Sequence, residues 1–312
     1  MNNIEIIVKI WNGDTYSLGK EAISDVTWNG DISVCSRQLT FVCSSDLDIP
    51  ISSLITFKVN GQVVFIGRTF ERTKVGNSKF VEYLAYDIGE KLNKIKVSYN
   101  TKGKLPHNIV TEILTQYEFK IGYIEPINIQ GTEIIVGYSI YDLIRELYEK
   151  EEKRTGKKFW IYVIGERIYI QDVEKSNVIS TTFEEGYNIY DISVKESKAD
   201  MVNRVLIVDE NGNVKDVVEN KEDIIEHTLF QEIYQESEGV DSKTEAKALL
   251  NGMEQTYEIT GYGDITCLTG NTIYIKESTT NTVGLFLIEA DNHTWSEGSY
   301  KTELTLKFLR LR

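Results

Sequence analysis

Three histidines, three cysteines and a surplus of carboxylates are the side chains in this 312-residue chain that could carry chemistry. Histidine transfers protons near neutral pH and is a frequent metal ligand. His107, His227 and His293 stand far apart, and no two have the spacing of a metal-ligand motif. Cys35, Cys43 and Cys267 make an odd count without the pattern of a disulfide framework. Cys35 and Cys43 flank strand-like sequence, and Cys267 lies between Thr266 and Leu268, so all three read as small core residues.

Other motifs stop short of a site. Asp209-Glu-Asn211-Gly-Asn213 opens like a calcium loop, but its glycine is fourth in the run and the oxygen ligands do not continue at the required spacing. It reads as a hairpin turn. Gly261-Tyr-Gly263 has Thr266 where a dinucleotide loop needs its third glycine. No phosphate-binding loop or nucleophile elbow is present. Carboxylates are plentiful, yet nothing singles out an acid and base pair for glycoside or cell-wall hydrolysis. Trp11, Trp28, Trp160 and Trp295 could stack on sugar rings, which keeps a carbohydrate-binding module as the alternative to core aromatics. The chain thus reads as a non-enzyme, with no catalytic, cofactor or metal residue assigned.

The elements that position these residues are mostly strands. Ile4, Ile6, Val8 and Ile10 alternate with polar neighbours, and Arg37 to Cys43 alternates through Leu39 and Phe41. Asn60-Gly61 between two β-rich runs predicts a two-residue hairpin. Phe80 to Tyr86 follows as a strand and Asp87 to Lys94 as a short helix. The middle changes character. Pro106 opens a helix through Tyr117, and Ser139 with Asp142 forms a capping box for a helix that ends before Gly156. A second hairpin turns at Gly165-Glu166. Beyond it come strands at Arg204 to Val208 and Val214 to Val218. Helices are predicted from Glu222 to Tyr234 and, behind a Ser242-Lys-Thr-Glu245 capping box, to Gln255. Strands at 272–276, 283–289 and 302–308 close the chain. In the last, Leu304, Leu306 and Phe308 share one side. No internal repeat of fixed short period is visible.

The fold class expected is α+β, mainly β, in three domains: 1–95, 96–187 and 188–312. The net charge of −14 disfavours sequence-independent binding to nucleic acid. Twelve acids and three bases between Asp209 and Glu245 concentrate that charge, on a solvated surface, facing a basic partner or lining an enclosed channel. No apolar run reaches the length of a bilayer span, and Met1 to Trp11 has no signal-peptide pattern, so synthesis in a cytoplasm without membrane insertion is expected.

Laid out in order, the chain resembles the baseplate hub proteins of contractile phage tails, closest to those of PBSX-like defective prophages and R-type bacteriocins. Val26-Thr-Trp28, Arg37-Gln-Leu39-Thr-Phe41 and Val63-Val-Phe65-Ile-Gly67-Arg68 are similar to the family's opening domain. Ser139-Ile-Tyr-Asp142 and Thr155-Gly156-Lys-Lys-Phe159 are similar to its inserted α/β domain. Asn203-Arg-Val205, Asn271-Thr-Ile273, Gly284-Leu-Phe286 through Asp291-Asn-His293-Thr-Trp295, and Gly298-Ser-Tyr300 are similar to its closing barrel. The resemblance implies two β-barrel-like hub domains flanking the insert. It also implies a homotrimer that adapts a six-fold tail tube to a three-fold central spike, with other baseplate proteins as partners. With the chain ending at Arg312 after its last strand, a lytic activity would be expected on another polypeptide.

Overall fold

The computed structural model describes residues 3–236 and 241–310; residues 237–240 of the acidic stretch lie outside them. The chain opens with β1 (Ile4–Lys9), β2 (Thr15–Gly19), β3 (Ile23–Asp31), β4 (Gln38–Ser44), β5 (Leu54–Val59), β6 (Gln62–Lys74) and β7 (Phe80–Asp87). Next come α1 (Glu90–Lys94), β8 (Lys96–Asn100), α2 (Pro106–Gln116), β9 (Lys120–Ile124), β10 (Ile134–Ser139), α3 (Ile140–Thr155), β11 (Phe159–Ile164) and β12 (Arg167–Asp172). The remainder is β13 (Val178–Glu184), β14 (Ile189–Ser197), β15 (Arg204–Val208), β16 (Val214–Glu219), α4 (Lys221–His227), β17 (Gln231–Gln235), α5 (Ser242–Ala248), β18 (Glu254–Tyr262), β19 (Thr272–Glu277), β20 (Thr282–Ser296) and β21 (Ser299–Arg310). The protein is α+β and mainly β.

One long curled sheet runs β14-β18-β21-β20-β3-β4-β7-β6-β5-β1-β2, with β19 also on β20 and β13 on β19. Period-2 alternation builds it. Ile4, Ile6 and Val8 point inward from β1, as do Leu39, Phe41 and Cys43 from β4. The N-terminal strands enclose a core around Phe41, Phe57 and Tyr83. The C-terminal strands enclose another around Ile259, Phe286 and Leu306. The strand orders of the two halves match. Numbered in chain order within each set of five, β3-β4-β7-β6-β5 and β14-β18-β21-β20-β19 both place the first, second, fifth, fourth and third strands side by side.

β20 joins the halves. Thr282 to Leu287 pair with β19, Ala290 to Trp295 pair with β3, and β21 backs the strand from Leu285 to Ser296. The change of partner falls at a bulge at Glu289, whose carbonyl accepts from Ile32 N at 2.8 Å.

The α/β insert packs α2 and α3 against the sheet β11-β12-β9 around Leu143, Leu147, Ile168 and Ile170. Pro106 stands in the first turn of α2, Ser139 and Asp142 make the reciprocal capping box of α3, and Gly156 ends α3 in the left-handed region. Asn60 (φ 52°) and Gly61 (φ 81°) form the expected hairpin turn between β5 and β6.

The structure corrects the acidic region. The helix expected from Glu222 to Tyr234 stops at His227, where Thr228 takes φ 74°, and Gln231–Gln235 pairs as β17 in parallel with β15. The fully buried Asn203 fixes this break. Its Nδ2 donates to Thr228 O at 2.7 Å, and its Oδ1 accepts from Phe230 N at 2.8 Å. The next helix ends at Ala248 rather than Gln255, because Glu254 onward is needed as β18 between β14 and β21. Asp241, not Ser242, caps it by accepting from Lys243 N. On β21, Leu304 and Leu306 are buried, but Phe308 is 41% exposed and only leans its ring on Phe286.

Candidate functional site

The densest polar cluster lies where β20 crosses from one half to the other. Arg37, just before β4, projects across the junction. Its Nη1 donates to Asp291 Oδ1 at 2.9 Å and its Nη2 to the other carboxylate oxygen. Thr269 adds its backbone N–H and its hydroxyl to Asp291 Oδ1, each at 2.6 Å. The Asp291 side chain is wholly buried. Burial alone would push its carboxyl up, but the Arg37 charge, with hydrogen bonds from His293 and Arg37, holds it well below the usual carboxylate range. The guanidinium lies 4.2 Å above the Trp28 ring. Gly30 makes room for it, since a Cβ there would stand 2.4 Å from Arg37 Nη1.

His293 extends the cluster. Its Nε2 faces Cys267 O at 3.1 Å and Asp291 Oδ2 at 3.2 Å, both acceptors, so the proton is assigned to Nε2. Nδ1 then accepts from the Tyr300 hydroxyl at 2.8 Å. Trp28, Trp295 and Tyr300 surround the imidazole. This aspartate and histidine have the hydrogen-bond order of an acid–base pair, but both are sealed in the junction. Burial pushes the neighbouring Cys267 thiol up, away from the reactive thiolate. The chemistry the cluster performs is cohesion, a desolvated ion pair locking β3 and β4 to β20. On the other side of Arg37, the Asp87 carboxylate accepts from Arg37 N at 3.1 Å and Gly89 N at 2.9 Å. Burial outweighs these bonds and pushes its carboxyl up to about 7.

The residues singled out in the sequence do not converge. His107 lies on α2, His227 at the end of α4 and His293 on β20. Among the described residues no group of three or more His, Cys, Asp or Glu is placed to hold a metal. Asp209 belongs to the β15–β16 hairpin. Its carboxylate accepts from Asn213 N at 2.8 Å and Asn211 N at 2.9 Å, and these bonds hold its carboxyl down to about 2. Trp28, Trp160 and Trp295 are buried, which removes them as sugar platforms. Trp160 packs flat on Gly270, where a Cβ would stand 1.9 Å from its ring. Only Trp11, 89% exposed in the β1–β2 turn, stands free of the core among the four. The Arg37–Asp291 pair went unseen in the sequence. A signal existed, because Asp291 and His293 fall in phase with Trp295 on one face of a strand.

The second feature is unpaired edge. Among the described residues β14 and β2 end the sheet path, and only β7 pairs with Glu71 to Lys74 of β6, since the pairing of β6 with β5 ends at Arg68 opposite Leu54. Tyr187, Tyr190 and Tyr262 stand exposed beside the β14 edge, with the last two rings 4.8 Å apart. Open edges and exposed aromatics mark surfaces for other protein chains.

A family model described as YQBQ-like matches residues 26–307. No curated protein matches the chain in sequence. Among solved structures it superposes on the 43 kDa tail protein of prophage MuSo2 from Shewanella oneidensis with a TM-score of 0.74 at 11% identity, covering 97% of this chain and 98% of that one. A tail protein from Neisseria meningitidis MC58 gives 0.73 at 13% identity, with 98% and 96% covered. The E. coli c3393 protein, described as a type VI secretion component similar to the T4 tail proteins gp27 and gp5, gives 0.61 at 11% identity, with 93% and 74% covered. At such identities the shared property is the fold.

Proposed function

The chain belongs to the YQBQ-like family, and on that premise we propose that it is a structural subunit of a phage-tail baseplate. In this reading it is a hub of a contractile tail or R-type bacteriocin of the PBSX-like kind, and it has no enzymatic activity. Three copies join a six-fold tail tube to a three-fold central spike and hold the surrounding baseplate proteins. Residues 1–95 and 188–312 are the two hub domains, and 96–187 is the insert. The particle assembles in the cytoplasm of a bacterial host, without membrane insertion or specific nucleic-acid contact.

The observation that carries the reading is the matched strand order of the two half-barrels, joined side by side in one chain by β20. Two like units per chain turn three copies into six, which is the arithmetic of a symmetry adaptor. The likeness to solved tail proteins supports it from the side of the fold.

The test is co-assembly. The purified chain is mixed with the tail tube and spike proteins of the same particle, and the products are weighed by light scattering and imaged by electron microscopy. A three-copy complex with a six-lobed ring between tube and spike is expected. A chain that binds neither protein overturns the reading.

A further inference from the structure

The two halves repeat down to single hydrogen bonds. Ser52 (φ 71°) donates its N–H to Thr69 O at 2.8 Å, and Gly270 (φ 84°) donates to Ile288 O at 2.8 Å. Thr69 N returns to Ser53 O at 3.0 Å, and Ile288 N to Asn271 O at 2.9 Å. The next residue is a bulge in both, Phe70 against β7 and Glu289 against β21. Thr69 and Ile288 therefore hold the same place. Beyond the bulge Glu71 corresponds to Ala290, Arg72 to Asp291, Thr73 to Asn292 and Lys74 to His293.

The rows across the sheet agree. Trp28, Leu39, Ala85 and Thr69 lie abreast on β3, β4, β7 and β6. Val194, Tyr257, Leu306 and Ile288 lie abreast on β14, β18, β21 and β20. So β14 corresponds to β3, and Val194 to Trp28. Within the chain, the stretch of β20 after its bulge is covered by β3, with Ala290 opposite Asp31 and His293 opposite Trp28. The corresponding stretch of β6 has no strand on that side among the described residues, and β14 likewise has an open outer edge.

We infer that β6 of one copy pairs antiparallel with β14 of the next, in the register that β20 and β3 use inside the chain. The partner is thus a second copy of this chain, and the inference rests on the baseplate reading. The register places Glu71 opposite Ser197, Arg72 opposite Glu196, Thr73 opposite Lys195 and Lys74 opposite Val194. Its charges match on both faces. Arg72 meets Glu196 with Lys74 diagonal to it, and Glu71 is diagonal to Lys195. Arg72 and Lys74 now share the exposed Asp48, and Glu196 accepts from Gln255, so these charges sit on solvent-facing contacts that can exchange. The contact is head-to-tail and closes into a ring when its rotation closes.

Charge reversal tests it in the full-length protein. Arg72→Glu and Glu196→Arg alone are each expected to weaken self-association about tenfold, and the two together to restore it. Melting temperatures of the three variants serve as the check on folding. In the Thr73→Cys/Lys195→Cys variant the new thiols lie directly opposite each other between copies, and oxidation is expected to give covalent multimers that stop at a closed ring. The native cysteines are buried and do not compete. Self-association unchanged by the reversals, with no cross-link, overturns the inference and leaves the baseplate reading standing on its co-assembly test. A chain that stays monomeric with tube and spike proteins present overturns both.

Discussion

Arg37 and Asp291 stand 254 residues apart in sequence and face each other in the fold, both guanidinium Nη atoms on the two carboxylate oxygens. The pair fastens the first half of the sheet to the strand that carries the second. Removing one partner leaves the other buried and uncompensated, at about 3–5 kcal/mol. Asp291→Asn is therefore expected to lower unfolding stability by that amount in urea titration. Arg37→Met combined with Asp291→Leu should cost much less than either change alone. A loss under about 1 kcal/mol for Asp291→Asn would remove the lock from the account.

Asp87 sets a pH dependence of opposite sign to the common carboxylate case. Its carboxyl rises from 3.8 to about 7 on folding, so between those values the folded protein binds more protons than the unfolded chain. Raising the pH through that window removes stability. The stability this group contributes is complete below about 4 and gone above about 7. Measured against Asp87→Asn, the wild-type melting temperature should fall from pH 4 to pH 7. A gap independent of pH would place the Asp87 carboxyl in the ordinary range.

The break after α4 depends on one side chain. Asn203→Ala leaves Thr228 O and Phe230 N without their buried partner, a cost of about 1–3 kcal/mol for each group. Amide exchange in β17 should accelerate well beyond that in β4. Equal protection of β17 in the wild type and in Asn203→Ala would show that the strand holds without Asn203.

Two positions on the same face of β21, one in the core and one at its margin, should respond differently. Leu306 is fully buried and Phe308 is 41% exposed. Leu306→Asp is expected to abolish soluble protein, while Phe308→Asp yields folded protein with a modest loss. Soluble, cooperatively melting Leu306→Asp would move that strand out of the core.

Local rules made much of the fold readable. The Asn60-Gly61 turn, the Ser139 capping box and the alternation of β1 and β4 each act over a few residues, and each stands where expected. The acidic region was misread because its decisive contact is long-range. A helical pattern through Tyr234 yields to parallel pairing with β15 once Asn203 seizes Thr228 and Phe230. The internal repeat was invisible for a different reason. It lives in backbone geometry, so Ser52 answers to Gly270 and Phe70 to Glu289 without chemical likeness. The junction was half visible. Arg37 and Asp291 sit inside motifs that stood out, but their meeting depends on which strand β20 turns to at Glu289.

The shared strand also has a mechanical meaning. Because β20 runs unbroken from one half into the other with β21 hydrogen-bonded along it, a pull along its length meets those bonds in shear. They must give way together rather than open one at a time like a zipper. A force delivered to either half thereby loads the β20–β21 ladder that both halves share.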